Sequence, residues 1–162
     1  MPSDSTTRPT TRSNTTSYAT TCSATWNPVI TSDGSSTLRH PTHQETYHST
    51  FGAITESNIV FLQNSGVATR LQAGIPTRIL EIGFGTGLNF LVTADAADRA
   101  ASNIRYVAIE IDPVADAVLA NLLTKNFPNQ RLLVNKSIDA VRTFTSQPYS
   151  CLLYTSPSPR DS

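Results

Sequence analysis

The sequence predicts an α/β protein with a parallel sheet, and three observations carry that prediction. The stretch Ile79–Phe90 (ILEIGFGTGLNF) runs from an apolar segment through three alternating glycines into a second apolar period. Two further apolar runs, Asn103–Ile109 (NIRYVAI) and Arg131–Asn135 (RLLVN), follow it, each preceded by residues at helical spacing. Strands alternating with helical patterns imply crossover units and parallel pairing.

The glycine stretch reads as a buried strand, a tight loop and a helix start. Gly83, Gly85 and Gly87 allow positive φ and a close approach of a ligand to the main chain. The helix that follows offers unpaired N–H groups and a positive dipole end. The dinucleotide fingerprint G-x-G-x-x-G/A is the rival reading, but its last position is Leu88, where close helix–strand packing wants a small residue. The second strand ends at Glu110, roughly 20 residues past the loop, where a cofactor ribose finds a hydroxyl acceptor. Asp112-Pro113 reads as an N-cap with proline at the first helical position.

Around this centre the elements fall in order. Residues 1–25 are Ser/Thr-rich with Arg8 and Arg12 and no apolar period, so they read as disordered, with a transit peptide as the alternative. Trp26–Thr31, the turn Ser32–Ser36 and Thr37–Arg39 read as a hairpin. His40, His43 and His48 with Glu45 match no common zinc pattern, so no metal site is expected. Tyr47, His48 and Glu56 are candidates for a substrate-side wall. Glu56–Leu71 carries a helix ending near Gly66 and a second short one. Leu88, Leu91, Val92 and Ala96 share one face of the helix after the glycine loop, with Asp95, Asp98 and Arg99 opposite. A third helix runs from Pro113 to Lys125 until Phe127-Pro128-Asn129 stops it. Asp139, after the third strand, could accept from an adenine amino group or merely favour a helix dipole. A fourth strand begins at Gln147–Tyr154.

Composition excludes several classes. Formal net charge is zero and no basic run exists, so no global attraction to nucleic acid or membranes is implied. Cys22 and Cys151 form neither a metal pair nor a disulfide framework, which fits a reducing compartment. No apolar run is long enough to span a membrane.

The spacing E-x-G-x-G-x-G, from Glu81 to Gly87, resembles the first motif of class I S-adenosylmethionine-dependent methyltransferases. Together with DGSSTL (33–38), ETYHS (45–49), GAITES (52–57), VFL (60–62) and LEIGFGTGLNF (80–90), the chain resembles the standalone tRNA 5-methylaminomethyl-2-thiouridine methyltransferases over about residues 27–150. That resemblance implies a Rossmann-like class I methyltransferase sheet, truncated after about three parallel strands, with an N-terminal hairpin and helical cap. It implies S-adenosylmethionine bound by Glu81, Gly83, Phe84, Gly85, Gly87, Asn89, Glu110 and Asp139, with tRNA as partner in the cytoplasm. The expected layout is a disordered 1–25, a hairpin and helical substrate side at 26–76, a cofactor-binding half at 77–150 and a tail at 151–162. That tail (CLLYTSPSPRDS) looks like adapter read-through, which makes the chain an N-terminal fragment lacking the family's D-A-F-x-P motif. A small-molecule methyltransferase, an NAD(P)-dependent oxidoreductase and a non-catalytic α/β binding module remain open as alternatives.

Overall fold

The computed structural model describes residues 26–129, 134–135, 138–139 and 150–155. The expected disorder or targeting role of 1–25 lies outside them. Strands β1 (Asn27–Ile30) and β2 (Ser36–Arg39) pair antiparallel, with Asn27 opposite Arg39 and Ile30 opposite Ser36. Helix α1 (Ala53–Glu56) runs directly into a π-helical turn, Ser57–Gln63, and α2 (Val67–Gln72) follows after Gly66. Strand β3 (Thr77–Ile82), helix α3 (Leu88–Arg99) and strand β4 (Ile104–Glu110) form a parallel crossover unit, with Thr77 opposite Ile104 and Ile82 opposite Ile109. Helix α4 (Asp116–Asn126) and strand β5 (Ser150–Thr155) complete the described elements.

The glycine loop, its flanking strand and helix, and the hairpin stand where the sequence places them. Three expectations need correction. The third strand does not form at Val134 and Asn135, which are helical, as are Ile138 and Asp139. Val134 and Ile138, four apart, are both buried against Leu91 and Leu123. A short apolar run fits a buried helical face as well as a strand, and burial against two helices decides between them here. Second, β5 lies antiparallel to β4, giving the order β3-β4-β5 with one parallel pair among the described residues. Apolar alternation sets no strand direction; either sense satisfies the ladder. Third, α4 starts at Asp116, not at Pro113, and Asp112 is no N-cap. The Glu110 carboxylate accepts from the Ile111 and Asp112 amides at 2.8 and 3.0 Å, holding that stretch as a turn. Val114, fully buried, then anchors it.

The strand read as buried on both sides is half covered. Ile79 and Glu81 on β3 and Ile104, Tyr106 and Ala108 on β4 face the helical layer, where Phe90 is fully buried and meets the Tyr106 ring edge-on at 5.1 Å. The period-2 pleat sends Leu80, Ile82 and Ile109 to the opposite face, where they are exposed. On α3 the covered face is wider than expected, taking in Phe90, Thr93 and Ala94, while Asp95 and Arg99 pair across one turn at 2.6 Å.

Two polar devices fix the N-terminal region to this body. Asp33 accepts from the Thr55 amide and hydroxyl at 2.9 and 2.8 Å, while Thr31 and Ser35 hydroxyls receive the Ala53 and Ile54 amides. The β1–β2 turn thus caps α1 from about twenty positions away, supplying the acceptors that helix N-termini lack. Burial alone would raise the Asp33 carboxyl, but bonds from Ser35, Thr31 and the Thr55 and Ser35 amides outweigh it and hold it well below the usual carboxylate range. The second device is Asn126, whose side-chain amide accepts from Ser36 N–H at 2.7 Å and donates to Ser36 C=O at 2.8 Å. It acts as a one-residue strand partner at the edge of β2. Asn126→Ala is expected to cost about 1–2 kcal/mol, since both Ser36 backbone groups lose their partner; a urea midpoint unchanged from the parent would count against that role.

Candidate functional site

The site is built where β3 ends. Successive residues after Ile82 leave the sheet through Gly83, at φ 83°, whose N–H still completes the ladder to Ile109 C=O at 2.8 Å. Nothing lies within 4 Å of where a Cβ on Gly83 would point, so its backbone faces open space. Gly85 differs: at φ 54°, its absent Cβ would sit 2.8 Å from Cδ1 of Tyr47. The loop therefore has an open end for a ligand and a closed end packed under an aromatic ring. Gly85 N–H donates to Glu110 Oε2 at 2.8 Å, tying the loop to the end of β4.

A cavity of about 430 Å³ opens beside the loop. Tyr47, His48, Glu56, Glu81, Gly83, Phe84, Gly85 and Asn89, all named from the sequence, line it. Glu81 is the acid facing it from β3. Its carboxylate accepts from Asn89 Nδ2 at 3.0 Å and from the Tyr106 hydroxyl at 2.9 Å. Burial pushes Glu81 up to about 7; the two hydrogen bonds oppose that rise and the nearby Glu110 charge adds to it. The same burial, with Glu81 beside it, pushes the Tyr106 phenol far up. Asn89 Oδ1 is buried, with no hydrogen-bond partner among the described residues. Buried acceptors are seldom left so.

The opposite wall comes from the segment after β2. Tyr47 N–H donates to Leu38 C=O at 3.0 Å and His48 N–H to Thr37 Oγ1 at 3.2 Å, which aligns these neighbours on the hairpin. His48 Nε2 lies 3.0 Å from Thr86 Oγ1 in the glycine loop, and its Nδ1 lies 3.4 Å from Glu56 Oε2. Burial holds the His48 imidazole below its ordinary pKa, against the pull of Glu56. Burial, then the Glu110 and Asp112 charges, pushes the Tyr47 phenol up to about 12. His40 stacks with Trp26, His43 and Tyr47 and lies 3.5 Å from Asp112. No group of three His, Cys, Asp or Glu among the described residues is arranged to hold a metal ion. None of the described helices is long and apolar enough to cross a membrane.

The remaining sequence candidates lie around this cavity or away from it. Gly87, at φ 70°, precedes α3, and a Cβ there would meet the Phe84 ring at 2.8 Å. Glu110 is at the loop but has both oxygens engaged by backbone amides. Asp139 is exposed and does not line the cavity. Sequence reasoning missed Thr86, Tyr106, Val60 and Phe61, which do. Tyr106 had a usable signal: in parallel register it lies opposite Ile79, on the same face as Glu81 two positions on.

No family model matches the chain. Among curated proteins it is 34% identical over 108 residues to the tRNA 5-methylaminomethyl-2-thiouridine biosynthesis bifunctional protein MnmC of Burkholderia multivorans. That match covers 65% of this chain and 16% of the relative. The protein of the same name from Aromatoleum aromaticum is 37% identical over 81 residues, covering 48% of this chain and 13% of its own length. Among solved structures, MNMC2 from Aquifex aeolicus is 32% identical with a TM-score of 0.51, over 55% of this chain and 30% of that one. The chain is thus similar in sequence to MnmC proteins, of which it spans about a sixth or less, and similar in α/β architecture to part of MNMC2.

Proposed function

We propose that this chain forms the S-adenosylmethionine-binding part of a methyltransferase that modifies the amine of a 5-aminomethyl-uridine, thiolated or not, at the tRNA wobble position. The observation that carries this reading is Glu81, a buried carboxylate in a cavity that no lysine or arginine lines among the described residues, beside the open backbone of Gly83. An α-ammonium group placed there would give Glu81 a counter-charge. The open backbone at Gly83 leaves room for the chain that bears the ammonium.

Glu110 keeps acceptor capacity for ribose hydroxyls beyond its amide bonds, since each carboxylate oxygen has two lone-pair sites. An adenine-facing role for Asp139 belongs to the same proposal, as do the standalone form of the enzyme, the tRNA partner and a cytoplasmic setting. The likeness to MnmC proteins and MNMC2 supports the reading. When bound, the cofactor supplies an electrophilic methyl on a sulfonium; this chain supplies orientation and exclusion of water.

The test is calorimetric titration with S-adenosylhomocysteine across pH. An ammonium ligand needs ionised Glu81, whose carboxyl titrates at about 7. Affinity is therefore expected to fall by ~10-fold per pH unit below that point and to level off above it. Binding of NADPH without S-adenosylhomocysteine would replace this reading with the oxidoreductase one.

A further inference from the structure

The cavity carries a second carboxylate. Glu56 lines the same space as Glu81, and no lysine or arginine lines it among the described residues. Glu56 is seated by the Ser49 amide, which donates to Oε2 at 2.9 Å, and by His48 Nδ1 at 3.4 Å from the same oxygen. Its side chain remains one-third exposed, toward a wall that includes Val60 and Phe61.

We propose that Glu56 is the counter-ion for the substrate's amine, held toward the cavity by His48 and Ser49, so that one pocket recognises two amines at two carboxylates. This rests on the reading of Glu81 as the cofactor's ammonium partner. Two acids line the cavity and no lysine or arginine does among the described residues, so a ligand cation finds a carboxylate at each of two places in it. His48 does not cancel Glu56, because a buried imidazole stays neutral near pH 7. Its ring is also fixed at the far side by the Thr86 hydroxyl, so the glycine loop and Glu56 are registered to each other through one side chain. The apolar residues Val60 and Phe61, on the π-helical turn that follows Glu56, would flank the ring bearing the amine. A neutral substitute for that amine leaves the Glu56 charge without a counter-ion and binds more weakly.

The experiment compares 5-aminomethyluridine with 5-hydroxymethyluridine by calorimetry on the whole chain, saturated with S-adenosylhomocysteine. The aminomethyl nucleoside is expected to bind ~10-fold tighter or more, a preference that Glu56→Gln brings to within ~2-fold. Circular dichroism confirms the fold of the variant. Should the Gln variant unfold, Glu56→Asp, which keeps the charge but withdraws it by one methylene, is expected to lower the preference several-fold. S-adenosylhomocysteine binding without any amine preference would overturn the role of Glu56 and leave the cofactor reading intact. A preference that survives intact in a folded Gln variant would overturn it too. Failure to bind S-adenosylhomocysteine would remove both.

Discussion

Glu81→Gln is expected to make the protein more stable at pH 8 by about 3 kcal/mol, while abolishing the pH-dependent part of ligand affinity. The carboxyl titrates at about 7 in the fold against 4.5 when free. A carboxylate raised in this way is favourable to folding only while protonated. Its advantage is intact below pH 4.5, declines as the unfolded chain ionises, and is gone above 7, where the buried charge is carried at full cost. Glutamine removes the charge and its carbonyl still accepts from the Tyr106 hydroxyl, while the bond from Asn89 Nδ2 is exchanged for one to Asn89 Oδ1 when the Asn89 amide turns over. Urea midpoints at pH 8 and pH 4.5 check this, the difference shrinking to a few tenths of a kcal/mol at the lower pH. Equal stabilisation at both values would mean that packing rather than charge is responsible. A residue that costs stability in the working pH range and faces a cavity has the signature of a group kept for its ligand.

Gly85→Ala is expected to lose about 2–4 kcal/mol of stability and most ligand affinity. Two effects add. The residue sits at φ 54°, where a Cβ is strained, and that Cβ would approach the Tyr47 ring to 2.8 Å. The ring cannot retreat freely, because it packs with Trp26 and His40. Adding Tyr47→Ala to Gly85→Ala is expected to restore part of the loss, leaving the backbone strain of about 1–2 kcal/mol and the lost ring contacts. Thermal unfolding of the two single variants and the double variant measures the coupling. Strict additivity would place the whole penalty in the backbone.

The part of the fold that was legible in the sequence was the part governed by local chemistry. Three glycines at alternate positions permit the positive φ that a tight strand-to-helix loop needs, so the loop after β3 and the start of α3 followed directly. The run ending at Glu110 was legible as a strand because its β-branched and aromatic residues have few other uses. What failed depended on partners distant in sequence. Val134 looked like strand because its burial against Leu91 and Leu123 is invisible locally. The direction of β5 and the true start of α4 are likewise set by what lies alongside. In the site, Tyr47, His48 and Glu56 were named as one wall, but the imidazole that joins Glu56 to Thr86 and the phenol that reaches Glu81 needed three dimensions. The reading of Glu110 changed in kind: besides any ligand, it has its own turn and the Gly85 amide to hold.

Asn126 and Ser36 meet across 90 positions, and that separation has a temporal consequence. A loop of such length closes late, after the contacts between near neighbours have formed. The tie between β2 and α4 therefore forms only once α4 exists, whereas the cap that the hairpin turn places on α1 joins residues about twenty positions apart. In a pulsed hydrogen-exchange refolding experiment the Ser36 amide is therefore expected to gain protection after those of β3 and β4, which makes the tie between β2 and α4 a late event of folding.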